Sequence, residues 1–121
     1  SMTARSSPAS LRIRILFGDD AMLGPGKIDL LDHIRQTGSI AAAGRQMNMS
    51  YKRAWQLVET LNAMFREPLV ESTRGGAKGG GARLTEAGEA VLAEYRALEA
   101  EARRAGGPHI ERLQKLLRDI S

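Results

Sequence analysis

Residues 50–56 carry the side chains best suited to contact a ligand. Lysine and arginine can pair with phosphates, and arginine can also donate two hydrogen bonds to guanine. Glutamine carries the donor and acceptor that match adenine, and hydroxyl groups can hydrogen-bond phosphate oxygens. This combination is typical of nucleic-acid recognition, although an ordinary solvated helix face can have the same composition. The candidates are Ser50, Tyr51, Lys52, Arg53 and Gln56.

A second group of cations lies in and beside a glycine-rich loop, in which five of the residues 73–81 are glycine. Arg74 and Lys78 are within this loop, and Arg83 follows it. A phosphate-binding P-loop requires Gly-Lys-Ser/Thr at the start of a helix, whereas Lys78 is followed by glycines. The loop is therefore predicted to reach a nucleic-acid backbone or minor groove. The alternative is a loop without a role.

The positive charge of the chain is concentrated around these two groups. Seven of the 18 basic residues but only three of the 14 acidic residues lie between positions 45 and 83, so the rest of the chain carries 11 of each. A focused positive patch attracts polyanions and raises encounter rates. Chance clustering on a solvated surface is the alternative, and charge alone does not separate the two.

Catalytic and metal sites are not predicted. The two histidines, His33 and His109, are far apart in sequence, there is no cysteine, and the pair Asp19 and Asp20 does not by itself make a metal site. No apolar run approaches the roughly 18 residues of a membrane span. We therefore expect no enzyme activity, no cofactor and no membrane partner, and a cytoplasmic, nucleoid-associated protein.

The helical periodicity begins at Lys27 and predicts three helices before the glycine-rich loop. Gly38 is a plausible C-terminal stop for the first, and Ser39 can cap a short second helix over residues 40–47. Ser50 can cap the third helix. The apolar face of this third helix follows the spacing i, i+3, i+4, i+7 and i+11 and consists of Ala54, Leu57, Val58, Leu61 and Phe65.

The rest of the chain is predicted from turn and capping signals. Residues 11–15 alternate as in a strand, residues 18–26 form a connection, and residues 69–72 and 82–84 are two further strands. A fourth helix is predicted from Thr85 to Ala105, a break at 106–108, and then a final amphipathic helix. The predicted domains are a disordered segment with an expression-tag remnant at 1–10, a DNA-binding domain at 11–84, and dimerisation and C-terminal helices at 85–121.

This order of elements predicts a fold that is mainly α with a small β-hairpin wing, namely a winged helix-turn-helix with a C-terminal dimerisation helix. The small residues of 38–44 let the second helix cross close to the third. The third helix can then enter a major groove of duplex DNA. On that helix Lys52, Gln56 and Glu59 are expected to point away from the core, with Arg53 and Thr60 on one flank.

The fourth helix carries a stripe at alternating steps of three and four, which is the spacing of a helix–helix seam. Packing on its own domain is the alternative. We favour a homodimer, because a palindromic operator presents two half-sites to two recognition helices. The predicted dimerisation residues are Val91, Tyr95, Leu98 and Ala102, and Gly88 and Ala105 extend the stripe.

Four motifs resemble the N-terminal domain of the ModE family of molybdate-responsive bacterial regulators: residues 38–40, 50–55, 75–81 and 84–88. The run 50–55 and the glycine-rich loop are the specific parts, whereas 84–88 also resembles other winged-helix families, including the LysR type. The similarity covers roughly residues 11 to 105. It implies a homodimeric DNA-binding regulator with residues 50–53 opening the recognition helix.

One departure from that family limits what the resemblance implies. Full-length ModE proteins continue into a pair of molybdate-binding domains, whereas this sequence ends at Ser121. Molybdate sensing is therefore not expected of these residues, whether they form a stand-alone regulator or part of a longer protein. Two other functions stay open: a nonspecific architectural DNA-binding protein, and a protein-interaction module that uses the fourth and fifth helices.

Overall fold

The computed structural model of the protein describes residues 7–73 and 81–118, and within them the chain forms four helices and two β-hairpins. The predicted class, mainly α with a small hairpin in a winged helix-turn-helix, is confirmed. The elements are β1 (Ile15–Phe17), β2 (Ala21–Leu23), α1 (Pro25–Thr37), α2 (Ile40–Gln46), α3 (Tyr51–Met64), β3 (Val70–Thr73), β4 (Gly81–Leu84) and α4 (Glu86–Leu116).

The core lies between α1 and α3, and the start of α4 covers one side of it. Ile28, Leu31 and Ile34 of α1 are fully buried, and so is Leu61 of α3. Removing these aliphatic side chains from water is the main force that holds the helices together. Helix α1 ends as predicted at Gly38, which takes the left-handed conformation (φ 71°) and donates its N–H to the Ile34 carbonyl at 2.8 Å.

Helices α2 and α3 cross closely because small residues meet at the crossing. A Cβ added at Gly44 would lie 3.1 Å from the Cβ of Ala54, which is tighter than ordinary contact. The turn between the helices passes through Asn48, whose φ of 56° is in the left-handed region that asparagine tolerates. The expected close crossing is therefore present, and α3 projects outward.

The second hairpin, β3–β4, is antiparallel with Val70 opposite Leu84. Its return strand is joined to the end of α1, because the Ala82 N–H donates to the Gly38 carbonyl at 2.9 Å. Gly81 is needed at this junction, since a Cβ there would lie 2.5 Å from the Gly38 oxygen. The hairpin, which we call the wing, is thus joined to the end of α1 at the loop end of its strands, where Ala82 is paired with Ser72.

The predicted break in the fourth helix is wrong. Helix α4 runs without interruption from Glu86 to Leu116, with Pro108 inside it, so no separate C-terminal helix exists in the described part of the chain. A residue before proline is usually pushed out of the helical region because its Cβ meets the proline ring, but Gly107 has no Cβ. Although α4 is long, no helix among residues 7–73 and 81–118 is both long and apolar enough to cross a membrane.

The N-terminal region also differs from its prediction. The strand does not occupy residues 11–15: it begins at Ile15 and pairs with β2, which lies inside the segment predicted as a connection. The turn between the strands passes through Gly18, which has a φ of 63°. Because each strand has only three residues, neither has a period long enough to be recognised.

The stripe predicted as a seam on α4 is partly used inside its own domain. Tyr95 is only 2% exposed, and its hydroxyl donates to the Ile13 carbonyl. Gly88 is buried against the Leu69 carbonyl. Val91 and Ala102 are half-buried, whereas Leu98 is 42% exposed. Tyr95 is therefore a core residue. Leu98 is the large apolar side chain of the stripe that remains exposed to solvent and could pack against a second protomer.

Candidate nucleic-acid interface

Helix α3, the predicted recognition helix, begins at a hydroxyl cap. The Ser50 side chain accepts a hydrogen bond from the Arg53 N–H at 3.0 Å, so the predicted cap is confirmed. Ser39 does the same for α2, accepting from Ala42 at 3.1 Å. These caps satisfy amide groups that a helix start leaves unpaired. They also fix where the exposed first turn of α3 starts.

One face of α3 is polar and open to solvent. Lys52, Arg53 and Gln56 are all exposed, and on the other side of the helix Ala54 and Val58 are buried in the core. None of the three exposed side chains forms an ion pair within residues 7–73 and 81–118. Their donors and acceptors therefore face solvent. This agrees with the outward face predicted for the helix.

Two aromatic side chains lie on the flank of α3 that faces the wing. Tyr51 is 57% exposed, and its ring meets that of Trp55 edge to face, with centroids 6.1 Å apart and an interplanar angle of 82°. Trp55 is half-buried against the core. Both rings line a cleft shared with Ser72 and Thr73 of the wing. The Tyr51 side chain is thus on the open side, where it can reach a ligand.

Of the three cations predicted at the wing, Arg83 is the one that lies in the described part of the chain. Arg83 is exposed, but its Nε donates to the Glu71 carboxylate at 2.7 Å on the neighbouring strand. Its charge is therefore compensated in the free protein. Arg74 and Lys78, the other two predicted contacts, lie outside the described residues.

Asn62 is a positioning residue that sequence reasoning missed. Its Oδ1 accepts from the N–H groups of Leu69 and Val70 at 2.8 and 3.1 Å, and its Nδ2 donates to the Val70 carbonyl at 3.1 Å. It joins α3 directly to the first strand of the wing. An asparagine near the end of a helix and shortly before a strand is a weak signal, because such residues are usually solvated.

This arrangement can bind a polyanion. Across residues 7–73 and 81–118 no group of three or more histidine, cysteine, aspartate or glutamate side chains could hold a metal ion. What the site offers is a helix with exposed hydrogen-bonding groups and a hairpin beside it.

The family model for bacterial regulatory helix-turn-helix proteins of the lysR family matches residues 26–89, which contain most of α1, all of α2 and α3, the wing and the start of α4. The chain belongs to this family. The matched segment therefore assigns the polar face of α3 to the helix-turn-helix unit of a lysR-type domain.

Individual relatives agree with the resemblance to ModE, which is confirmed. The chain is 47% identical over 85 residues to the molybdenum-pterin-binding protein MopA of Rhodobacter capsulatus, covering 70% of this chain and 32% of MopA. It is 39% identical over 71 residues to the DNA-binding transcriptional dual regulator ModE of Escherichia coli K12, covering 59% of this chain and 27% of that protein. The chain thus spans about a third or less of the length of these two relatives.

A solved structure supports the fold. The DNA-binding domain of CbnR in its crystal structure with DNA superimposes with a TM-score of 0.54 at 24% identity, covering 69% of this chain and 91% of the other. At this identity the likeness concerns the lysR-type fold alone.

Proposed function

We propose that this protein is a sequence-specific, DNA-binding transcriptional regulator of the ModE type. The observation that carries the proposal is the polar face of α3, where Lys52, Arg53 and Gln56 stand exposed opposite a buried apolar face. In helix-turn-helix proteins this helix lies in the major groove with its N-terminal residues on the base edges. The E. coli relative is itself named a DNA-binding transcriptional regulator.

Seven of the predicted DNA-binding residues have the following roles in this proposal. Gln56 reads a base, because its amide matches the donor and acceptor pattern of adenine. Ser50, Tyr51 and Lys52 contact phosphates at the start of the helix. The DNA backbone is contacted by the wing residues Arg74, Lys78 and Arg83. On binding, Arg83 exchanges its Glu71 partner for a phosphate.

The protein is proposed to bind as a homodimer on a palindromic operator. Leu98 of α4, together with Phe17 of the first hairpin, leaves an apolar groove open beside Val91. Burial of these side chains against a second copy would remove apolar surface from water. Two recognition helices could then reach half-sites about 34–36 Å apart.

Fluorescence anisotropy with labelled duplexes tests the proposal. If each subunit of a dimer makes about three to five phosphate contacts, affinity should fall roughly 10³–10⁵-fold between 50 and 200 mM salt, because bound counterions are released. A salt-insensitive complex, or no complex with any duplex, would overturn DNA binding.

Genomic fragments compared with random duplex at near-physiological salt separate the remaining alternatives. A specific regulator binds a subset of fragments far more tightly than random DNA, by about 10³-fold or more. Equal binding to all fragments identifies an architectural protein. Failure to bind any of them leaves the protein-interaction module as the explanation.

A further inference from the structure

A second basic surface lies between the N-terminal hairpin and α3. Arg14, Lys27 and Arg53 line one open groove of about 440 Å³, together with Gly24 and other residues at the junction of β2 and α1. We call this the basic groove. Arg14 and Lys27 are distant from Arg53 in sequence, and both lie outside the basic stretch 45–83 that the sequence singled out.

The charge of the basic groove is not compensated. Among the described residues that line it there is no aspartate or glutamate, and neither arginine forms an ion pair. Lys27 donates to the Met22 carbonyl at 2.7 Å, which leaves further donors of its ammonium group. Burial, and then the positive charges of Arg53 and Arg14, lower the pKa of Lys27. Three crowded cations of this kind favour an anion among them.

The position of the groove points to one kind of anion. Arg53, Leu57 and Thr60 follow the helical spacing i, i+4 and i+7, so the groove runs along one flank of α3. Tyr51 and Trp55 are on the other flank, next to the wing. The outward face with Gln56 lies between the two flanks.

A recognition helix is bounded by phosphates on both sides. The major groove is about 12 Å wide and an α-helix with side chains is about 10–12 Å across, so both DNA strands pass close to the inserted helix. The wing and the start of α3 contact one DNA strand. The basic groove is on the side of the other strand.

We propose that the basic groove binds one phosphate of the DNA backbone, on the flank of α3 opposite the wing, with Arg14 and Lys27 as DNA-binding residues. This inference rests on the proposed function and deepens it. It also gives Arg53 a phosphate rather than a guanine, because Arg53 shares the groove with the other two cations. The recognition helix is then held from both sides, which fixes its register over the bases.

The double variant Arg14→Gln, Lys27→Met tests this proposal, because it removes both charges while keeping most of the side-chain volume. The slope of log K against log salt for duplex binding should become shallower by about 0.9 for each phosphate that a subunit no longer neutralises. Affinity for preferred and random duplexes should fall by the same factor. Circular dichroism and a urea titration first establish that the variant is folded.

Arg12→Gln is the matched control. Arg12 is an exposed arginine two residues from Arg14, but its charge acts on Tyr95 of α4, away from the groove. We expect this variant to keep the wild-type slope. If the double variant also keeps the wild-type slope while the unmodified protein binds DNA, the basic groove is not a DNA-binding surface and the proposed function stands.

A scan with methylphosphonate duplexes identifies the occupant directly. Each methylphosphonate neutralises one phosphate, and the wild-type protein should lose affinity at one position per half-site that the double variant ignores. If the double variant loses affinity at every methylphosphonate position at which the wild-type protein does, the proposal is overturned. It is also overturned if inorganic phosphate alone saturates the groove while the DNA affinity of the variant is unchanged, because the occupant is then a free anion.

Discussion

Asn62 of the recognition helix and Val70 of the wing are joined by hydrogen bonds in both directions. The asparagine amide donates to the Val70 carbonyl and its oxygen accepts from the Val70 N–H, each at 3.1 Å. One side chain thus takes the place of a strand partner for the edge of β3. The link joins α3 to the first strand of the wing.

Replacing Asn62 by alanine should loosen the wing and destabilise the fold. Three backbone groups would be left without their partner, and an unsatisfied buried donor or acceptor costs about 1–3 kcal/mol. Urea denaturation measures the change in the free energy of unfolding. Glu59→Ala, an exposed change on the same helix, is the control and should stay within about 0.5 kcal/mol of the wild type. If the two changes lower the free energy of unfolding equally, the Asn62–Val70 link does not contribute to stability.

Substitutions of Ser50 should separate its role as a cap from its role at DNA. Ser50→Ala should cost about 0.5–2 kcal/mol of stability, because the Arg53 N–H loses its acceptor. Asparagine and aspartate cap helices as well as serine does, so both should restore stability. The aspartate would nevertheless face phosphate, and we expect it to weaken DNA binding at least about tenfold, since like-charge juxtaposition costs several kcal/mol. Tight DNA binding by Ser50→Asp would mean that position 50 is away from the backbone.

Gln56 and Lys78 should affect DNA binding in different ways. Gln56→Ala should cost about 1–3 kcal/mol on the preferred site and much less on random duplex, because it removes a base contact. Lys78→Ala should weaken both duplexes alike and make the salt slope shallower by about 1. The ratio of the two dissociation constants is the measurement. An unchanged ratio in Gln56→Ala would contradict the assignment of the outward face.

Replacing either of two glycines of α4 by alanine should change the stability of the protein, but in opposite directions. A Cβ at Gly88 would lie 2.1 Å from the Leu69 carbonyl oxygen, so Gly88→Ala should cost about 1–3 kcal/mol or more. A Cβ at Gly106 has its nearest neighbour, the end of Ile110, at 3.9 Å. Gly106→Ala should therefore stabilise the continuous helix by up to about 1 kcal/mol. Thermal unfolding followed by circular dichroism measures both, and destabilisation by Gly106→Ala would contradict a continuous α4.

A charge at Leu98 should break the proposed dimer without unfolding the protomer. Leu98 is 42% exposed and lines the apolar groove, so Leu98→Glu places an unpaired carboxylate in the interface. We expect folded monomers in sedimentation velocity and weaker operator binding. The control is Ala97→Glu, which adds the same charge at an exposed neighbouring position outside the groove. If the unmodified protein is monomeric at micromolar concentration, the dimer proposal fails.

The helix-turn-helix unit was predictable because its signals are local. Ser39 and Ser50 precede helices and Gly38 ends one, and each of these acts through backbone groups within four residues. The apolar period of α3 likewise predicts which side is buried. The break predicted at Pro108 failed although it was also a local signal. Gly107 has no Cβ to meet the proline ring, which removes one of the clashes by which proline ends a helix.

The sequence by itself determined the helical class, the caps, the outward face of α3 and the family, since periodicity and capping depend on neighbours along the chain. Only the tertiary structure decided which positions of the α4 stripe are buried in the protomer. It also brought Arg14 and Lys27 beside Arg53, and Asn62 against Val70. Those relationships join residues of different elements, and their existence depends on how the elements pack. Hydrophobic burial drives that packing, but it is non-directional and leaves no local pattern that marks the partners.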